Sequence, residues 1–319
     1  MNRLPERLAL FRVSRVSLLA LAFAFAFVFG CEETDNKGWL VDRTRVLGVR
    51  FEAAAERARA AIAPGEPMRA TWLVGAPAGT GRLSWAYAIC APPPGNFPQP
   101  HCETAVLAAA AGASEGELVT MELEAPRAES VGELEELQML VAFCEGGDAA
   151  LDASRFAATC TGGAAPLLAS ATIRLAAAGP NANPELAADA VLFDGQPLVP
   201  STVRPGSSCA ASPESPAVVP GSKHTFTIRF RGDEREPVPG SPEGVENVLA
   251  SHVVTTGELD RLYSMLDPTE RAPKESAVEW TAPPPEQVPE GGRLAEVFVV
   301  LRDGRGGAAF GRRTVCVRR

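Results

Sequence analysis

The sequence predicts a mainly β chain, two antiparallel sandwiches in tandem behind a cleaved leader, and three observations lead there. Apolar and polar residues alternate over short segments, Gly- and Pro-rich turn signals separate those segments, and no strand–helix–strand spacing joins them. Setting aside a 30-residue leader leaves about 289 residues, enough for two domains of ordinary size.

The first unit is expected over 39–180. It opens with "RVLGVRF" (45–51), then "APGEPMRATWLVGA" (63–76), in which a Pro-Gly turn leads into a strand. In "RLSWAYAIC" (82–90) Leu83, Trp85 and Tyr87 share one face, and in "ELVTMELEA" (117–125) Val119, Met121 and Leu123 do. A short helix is expected at "SVGELEEL", where Ser130 and Glu133 have the spacing of a capping box. "LQMLVAFC" (137–144) and "PLLASATIRLA" (166–176) complete this unit. The boundary is placed near "AAAGPNANPEL" (176–186), where Gly179-Pro180 and Asn183-Pro184 interrupt the pattern.

The second unit, 181–319, runs through "NPELAADAVLFDGQPL" (183–198), "KHTFTIRF" (223–230), "NVLASHVVTT" (247–256), "SAVEWTAP" (276–283), "LAEVFVVLRD" (294–303) and "AAFGRRTVCV" (308–317). Thr225, Thr227 and Arg229 alternate with Phe226, Ile228 and Phe230, which gives one wet face and one core face. Asp303-Gly304 and Gly306-Gly307 supply the positive-φ residues of a tight hairpin. The proline-rich stretches 91–100 and 282–290 are expected to be rigid loops.

The N-terminal segment gives the location. Arg3, Arg7, Arg12 and Arg15 precede a run of 14 residues, Val16 to Phe29, that carries no charge, and Gly30 and Cys31 follow. A bilayer core needs about 20 apolar residues, so the run is short for a membrane-spanning helix and has the layout of a secretory signal. Val28-Phe29-Gly30-Cys31 resembles the lipobox of bacterial lipoproteins. The resemblance implies cleavage after Gly30 and a thioether-linked diacylglycerol on Cys31, with 31–38 as a tether. Several acyl chains, at about 0.8 kcal/mol per buried methylene, make such an anchor stable.

Besides Cys31 there are six cysteines, Cys90, Cys102, Cys144, Cys160, Cys209 and Cys316, an even number suited to an oxidising compartment. Six allow 15 connectivities; nearness in sequence suggests Cys90–Cys102 and Cys144–Cys160, which leaves Cys209–Cys316. A zinc site is the competing reading, but no C-x-x-C occurs and His101 abuts Cys102.

The pattern "RVLGVRFEA…APGEPMRATWLV" resembles the opening strands of bacterial immunoglobulin-like surface domains, in which a Pro-Gly turn precedes the strand that enters the core. "VEWTAP…LAEVFVVLRDGRGGAAFGRRTVCV" is similar to their closing strands, and the Cys–Trp–Cys order appears as Cys209, Trp280 and Cys316. The resemblance implies two tandem immunoglobulin-like β-sandwich domains. The whole chain resembles envelope lipoproteins of high-GC Gram-negative bacteria, which accounts for 27 arginines against 3 lysines without a basic patch.

Motifs for chemistry are few. "GASEG" (112–116) has the letters of a nucleophile elbow without the strand before and helix after, so Ser114 is read as an exposed turn residue. "VGAPAGTG" (74–81) lacks the Lys-Ser/Thr of a phosphate loop and reads as a hairpin. No second histidine lies three to five residues from His101, His224 or His252, so no metal-binding spacing is present. His224 and His252 lie on expected strands that could bring them together. The "RGD" at 231–233 reads as a strand end, Trp39, Trp72, Trp85 and Trp280 as core rather than a sugar platform, and the acidic loop 231–246 as solvated, without calcium-ligand spacing.

Without residues 1–30, which hold four arginines and one glutamate, 26 basic and 38 acidic residues remain, a net charge of −12 that disfavours nucleic acid. The expectation is a non-enzymatic, lipid-anchored cell-envelope protein, on the outer membrane or the periplasmic face. It is expected to need no cofactor or metal, to meet the membrane through its lipid, and to take an envelope protein or glycan as partner at loops 91–101, 144–160 and 231–246. Two alternatives stand beside it. A periplasmic hydrolase would need a Ser or Asp nucleophile within hydrogen-bond reach of His101, His224 or His252. An accessory subunit of an envelope assembly would show a large exposed apolar patch.

Overall fold

Short alternating segments bounded by turns build two stacked pairs of sheets in the computed structural model, which describes residues 37–94, 100–203, 207–230, 236–238, 244–266 and 275–319. Cys31 and the RGD stretch lie outside the described residues, as do parts of the loops 91–101 and 231–246. Residues 38–319 form one unit.

In the first half, β1 (Arg45–Ala53), β2 (Pro67–Gly75) and β5 (Leu118–Glu124) form one sheet in the order β1-β2-β5. The strands β3 (Arg82–Cys90), β4 (Ala108–Glu115), β6 (Glu136–Glu145) and β9 (Leu167–Arg174) form the facing sheet, ordered β4-β3-β6-β9. Phe51, Met68, Trp72 and Val119 from one sheet close on Leu83, Ile89, Val141, Phe143 and Ile173 from the other. Trp72 meets Phe143 edge to face at 5.7 Å between ring centres.

Several local elements differ from those expected. The helix is one turn, α1 (Ala128–Val131), and it ends at Gly132, where the expected helix was just beginning. Gly132 has a positive φ, 55°, and residues 136 onward are drawn into β6, whose apolar run is buried between neighbouring strands. Residues 76–81 do not close a hairpin; they carry the chain from β2 in one sheet to β3 in the other. The stretch 144–160 holds a small hairpin, β7 (Ala149–Asp152) with β8 (Ala157–Cys160), stapled at its base by the Cys144–Cys160 disulfide. Ser114 is no turn residue: it lies in β4 opposite Leu83. Gly112, opposite Trp85 in the same strand, leaves the space that the Trp85 indole fills, and Trp85 Nε1 donates to Ser114 Oγ at 3.3 Å.

The second half has two five-stranded sheets. One comprises β10 (Val191–Phe193), β11 (Gln196–Pro197), β13 (Lys223–Arg229), β15 (Glu258–Leu259) and β17 (Glu275–Thr281), in the order β11-β10-β13-β17-β15. The other is ordered β12-β19-β18-β14-β16, from β12 (Ala217–Val218), β14 (Val248–Val254), β16 (Tyr263–Leu266), β18 (Arg293–Arg302) and β19 (Ala308–Val317). All pairs in this half are antiparallel except β12 with β19, which runs parallel. The Cys209–Cys316 disulfide ties the short helical turn before β12 to β19, within one edge of this sheet rather than across the sandwich. Trp280 is fully buried instead among Phe193 and Phe226.

β18 is buried on both sides. Ala295, Val297, Val299 and Leu301 face the interior of the second half, whereas Phe298 and Val300, with Val253, pack on Val41, Leu47 and Leu73 of the first. Segment 180–183 is pinned between the halves. Asn183 Nδ2 donates to the Phe51 carbonyl at 2.8 Å, and its Oδ1 accepts from Ala308 N at 2.9 Å. Asn181 Nδ2 donates to Asp303 at 2.9 Å. Apolar contact and buried amide pairing therefore lock the two halves together.

Candidate functional sites

Two places bring polar chemistry together, and in each a turn residue meets side chains carried on strands. The first lies where the halves meet. Arg312, on β19, points its guanidinium at Glu117 in the β4–β5 turn (2.9 Å) and at Glu296 on β18 (3.2 Å). It also donates to the Ser201 and Val203 carbonyls. The Glu296 side chain is 3% exposed, and burial pushes its carboxyl up to about 7, with Arg312 opposing and Glu117 adding to the rise. Burial raises Glu117 as well, against the pull of Arg312. Beside this cluster is a cleft of about 630 Å³ lined by Gly79, Thr80, Glu117, Leu118, Val203 and Arg312. Leu118 offers it an apolar side chain that is 48% exposed.

The second lies at one end of the second half. Ser222 follows the Pro220-Gly221 turn and His224 is the second residue of β13, so both side chains project to the side of the strand that carries Phe226. Ser222 Oγ lies 2.7 Å from His224 Nε2, and His224 Nδ1 lies 2.7 Å from Asp194 Oδ2. Asp194 sits in the β10–β11 turn with φ 49°, beside Gly195 at 79°, the pair of positive angles a two-residue hairpin demands. Its other oxygen accepts from Thr225 N at 2.9 Å. The imidazole stacks on Phe193 with ring centres 4.9 Å apart.

The other two histidines stand apart from both sites. His252 is fully buried on β14, its Nε2 within 2.9 Å of Ser264 Oγ, and Ser264 is hydrogen-bonded to Ser276 on the opposing sheet. Burial pulls the ring down to about 4, with Asp260 opposing and Arg261 adding to the fall, so it is neutral at pH 7. His224 and His252 therefore lie in different sheets, each with its own partners, and are not brought together. His101 contacts Glu103 at 3.3 Å. Among the described residues no group of three or more His, Cys, Asp or Glu is arranged to hold a metal ion. Of the tryptophans, Trp72 and Trp280 are core, and Trp85 lies half-buried across Gly112.

The sequence offers no motif for either polar site. Arg312 reads as one of two adjacent strand arginines, and its glutamates lie 195 and 16 residues away. Asp194 precedes His224 by 30 residues and Ser222 sits two residues from it. The only local signals are the Asp-Gly turn and the Pro-Gly-Ser turn before β13.

The six cysteines form three disulfides, Cys90–Cys102, Cys144–Cys160 and Cys209–Cys316. Fold and cross-links define the class: a mainly β, disulfide-bonded protein of an oxidising, extracytoplasmic compartment. Among the described residues no helix is long and apolar enough to cross a membrane. No family model and no curated protein matches the chain. Solved structures that it is similar to include red sea bream transglutaminase (13% identity, 86% of this chain and 31% of that one, TM-score 0.24). Others are dimeric latent PorU from Porphyromonas gingivalis (12%, 87% and 24%, 0.22) and the native conformation of E. coli alpha-2-macroglobulin (12%, 87% and 16%, 0.24). The chain spans less than a third of the length of each, and at these scores the likeness carries no weight for function.

Proposed function

We propose that this is a lipid-anchored cell-envelope protein, held to the membrane through Cys31, whose two sandwiches act as one rigid binding or spacer body. The observation that carries the reading is the set of three disulfides in a unit that begins at Gly38, seven residues after the proposed lipid site. Oxidised pairs belong outside the cytosol, and a short polar tether keeps the folded unit near its anchor. The interlocked apolar faces of Phe298 and Val300 with Leu47 and Leu73 favour a stiff body over two swinging domains. The cleft beside Arg312, with Gly79 and Leu118 at its wall, is the surface we assign to an envelope protein or glycan partner.

Metabolic labelling with a palmitate analogue tests the anchor in cells that express the full chain. The wild type takes up label and sediments with membranes, and Cys31→Ser does neither. Equal labelling of the two proteins refutes the reading.

A further inference from the structure

We propose that Ser222 is an activated nucleophile, with His224 as its general base and Asp194 as the positioning residue, and that this end of the second sandwich accepts acyl groups from small carboxylic esters. This goes beyond the tethered-body reading and does not rest on it. It also departs from the expectation that the protein is not an enzyme.

Asp194 is fixed by two donors: Thr225 N at 2.9 Å on Oδ1 and His224 Nδ1 at 2.7 Å on Oδ2. A carboxylate accepts only, so the neutral imidazole carries its proton on Nδ1 and leaves the Nε2 lone pair directed at Ser222 Oγ, 2.7 Å away. Phe193, stacked on the ring, holds its plane. The serine hydroxyl has a second acceptor, the Val219 carbonyl at 2.6 Å, which competes with Nε2 for its single hydrogen. Nucleophile, base and orienter are thus in hydrogen-bond reach in the right order on the right nitrogens, the relation that defines an activated serine whatever its place in a fold. Ser222 is half-buried at the turn and the His224 side chain is 16% exposed. The backbone beneath it is held on both sides, since Ser222 N donates to Val219 O and its carbonyl accepts from Ala282 N at 2.8 Å.

In the step assigned, Ser222 Oγ attacks the ester carbonyl carbon as its proton passes to His224 Nε2. The tetrahedral adduct expels the alcohol, which leaves with the proton from Nε2. Water then attacks the acyl-serine by the same route, releasing the carboxylic acid and restoring Ser222. Ester and water become acid and alcohol, with no other reactant.

The full-length protein is exposed to a fluorophosphonate at neutral pH, and adducts are read by intact mass and peptide mapping. One adduct is expected, on Ser222, absent in Ser222→Ala and formed about 100-fold more slowly or worse in His224→Gln. Asp194→Asn, which keeps the shape of the turn, is expected to slow it at least ~10-fold by misplacing the ring proton. Circular dichroism and the thermal midpoint establish that each variant folds, and Asp194→Asn carries the test if His224→Gln does not. A merely structural cap on the aromatic core forms no adduct. Labelling at Ser222 no faster than in the urea-unfolded chain, or at one rate in wild type and Asp194→Asn, overturns the proposal.

Discussion

Two buried groups make opposite demands on pH, and their near-cancellation is a sharp prediction. His252 is fully buried and titrates at about 4 in the folded protein, against an ordinary 6.5. Between those values the unfolded chain holds the extra proton, so His252 contributes stability that is present above pH 6.5 and is lost as pH falls through 4. Glu296 titrates at about 7, against an ordinary 4.5. There the folded state holds the extra proton, so the contribution is present below pH 4.5 and is lost as pH rises through 7. Each shift is worth about 3 kcal/mol at its limit, and over pH 4.5 to 7 each changes by about 2.5 kcal/mol, in opposite directions. Urea unfolding, followed by the fluorescence of buried Trp72 and Trp280, measures this at half-unit steps of pH. Wild-type stability minus that of His252→Gln rises by about 2.5 kcal/mol from pH 4.5 to 7, and wild type minus Glu296→Gln falls by about as much. Burial also raises Glu246 and Asp303, whose contributions drop out of each subtraction, and Glu117, which shares Arg312 with Glu296 and leaves part of its own shift in the Glu296→Gln difference. Two flat difference curves, or two of the same sign, would rule out opposed titrations of His252 and Glu296.

Three further predictions concern the frame. Asn183→Ala leaves the Phe51 carbonyl and Ala308 amide unpaired at the junction of the halves and costs about 2–4 kcal/mol in urea unfolding; a loss under ~0.5 kcal/mol contradicts the pinning of the halves by Asn183. Gly112→Val drives a side chain into the Trp85 indole, costing about 1–3 kcal/mol and changing the near-ultraviolet dichroism of that ring, and an unchanged spectrum counts against the packing. Replacing Cys209 and Cys316 by alanine opens a loop of 107 residues, worth about 4–5 kcal/mol in the chain-entropy account. The Cys90–Cys102 loop spans 12 and is worth about 3 kcal/mol; melting curves that reverse this order contradict it.

Strands were legible where one face is consistently apolar. Phe226 and Ile228 in β13 and Val119 and Met121 in β5 mark the buried side at every second residue, and the cores use them so. β4 was not legible, because a run of alanines has no apolar side to favour; it becomes a strand through its ladder with β3. The helix placed at Ser130 failed because the capping pattern is local, whereas burial of Leu137, Met139 and Val141 in β6 draws the chain straight after Gly132. The polar sites were illegible for another reason: their members lie on separate turns and strands, and no short spacing records that Arg312 will meet Glu117 or that Asp194 will hold His224.

The extended segments, the glycine and proline turns between them and the fitness of six cysteines for an oxidising setting are readable from the chain alone, because alternation, φ restriction and thiol count are local properties. Long-range packing alone covers β18 on both faces, turns 180–183 into a buried splice rather than a free linker, and lines up serine, histidine and aspartate at one strand end. Periodicity says which side of a strand avoids water. It does not say which surface will cover that side, since that depends on contacts between residues far apart in the chain.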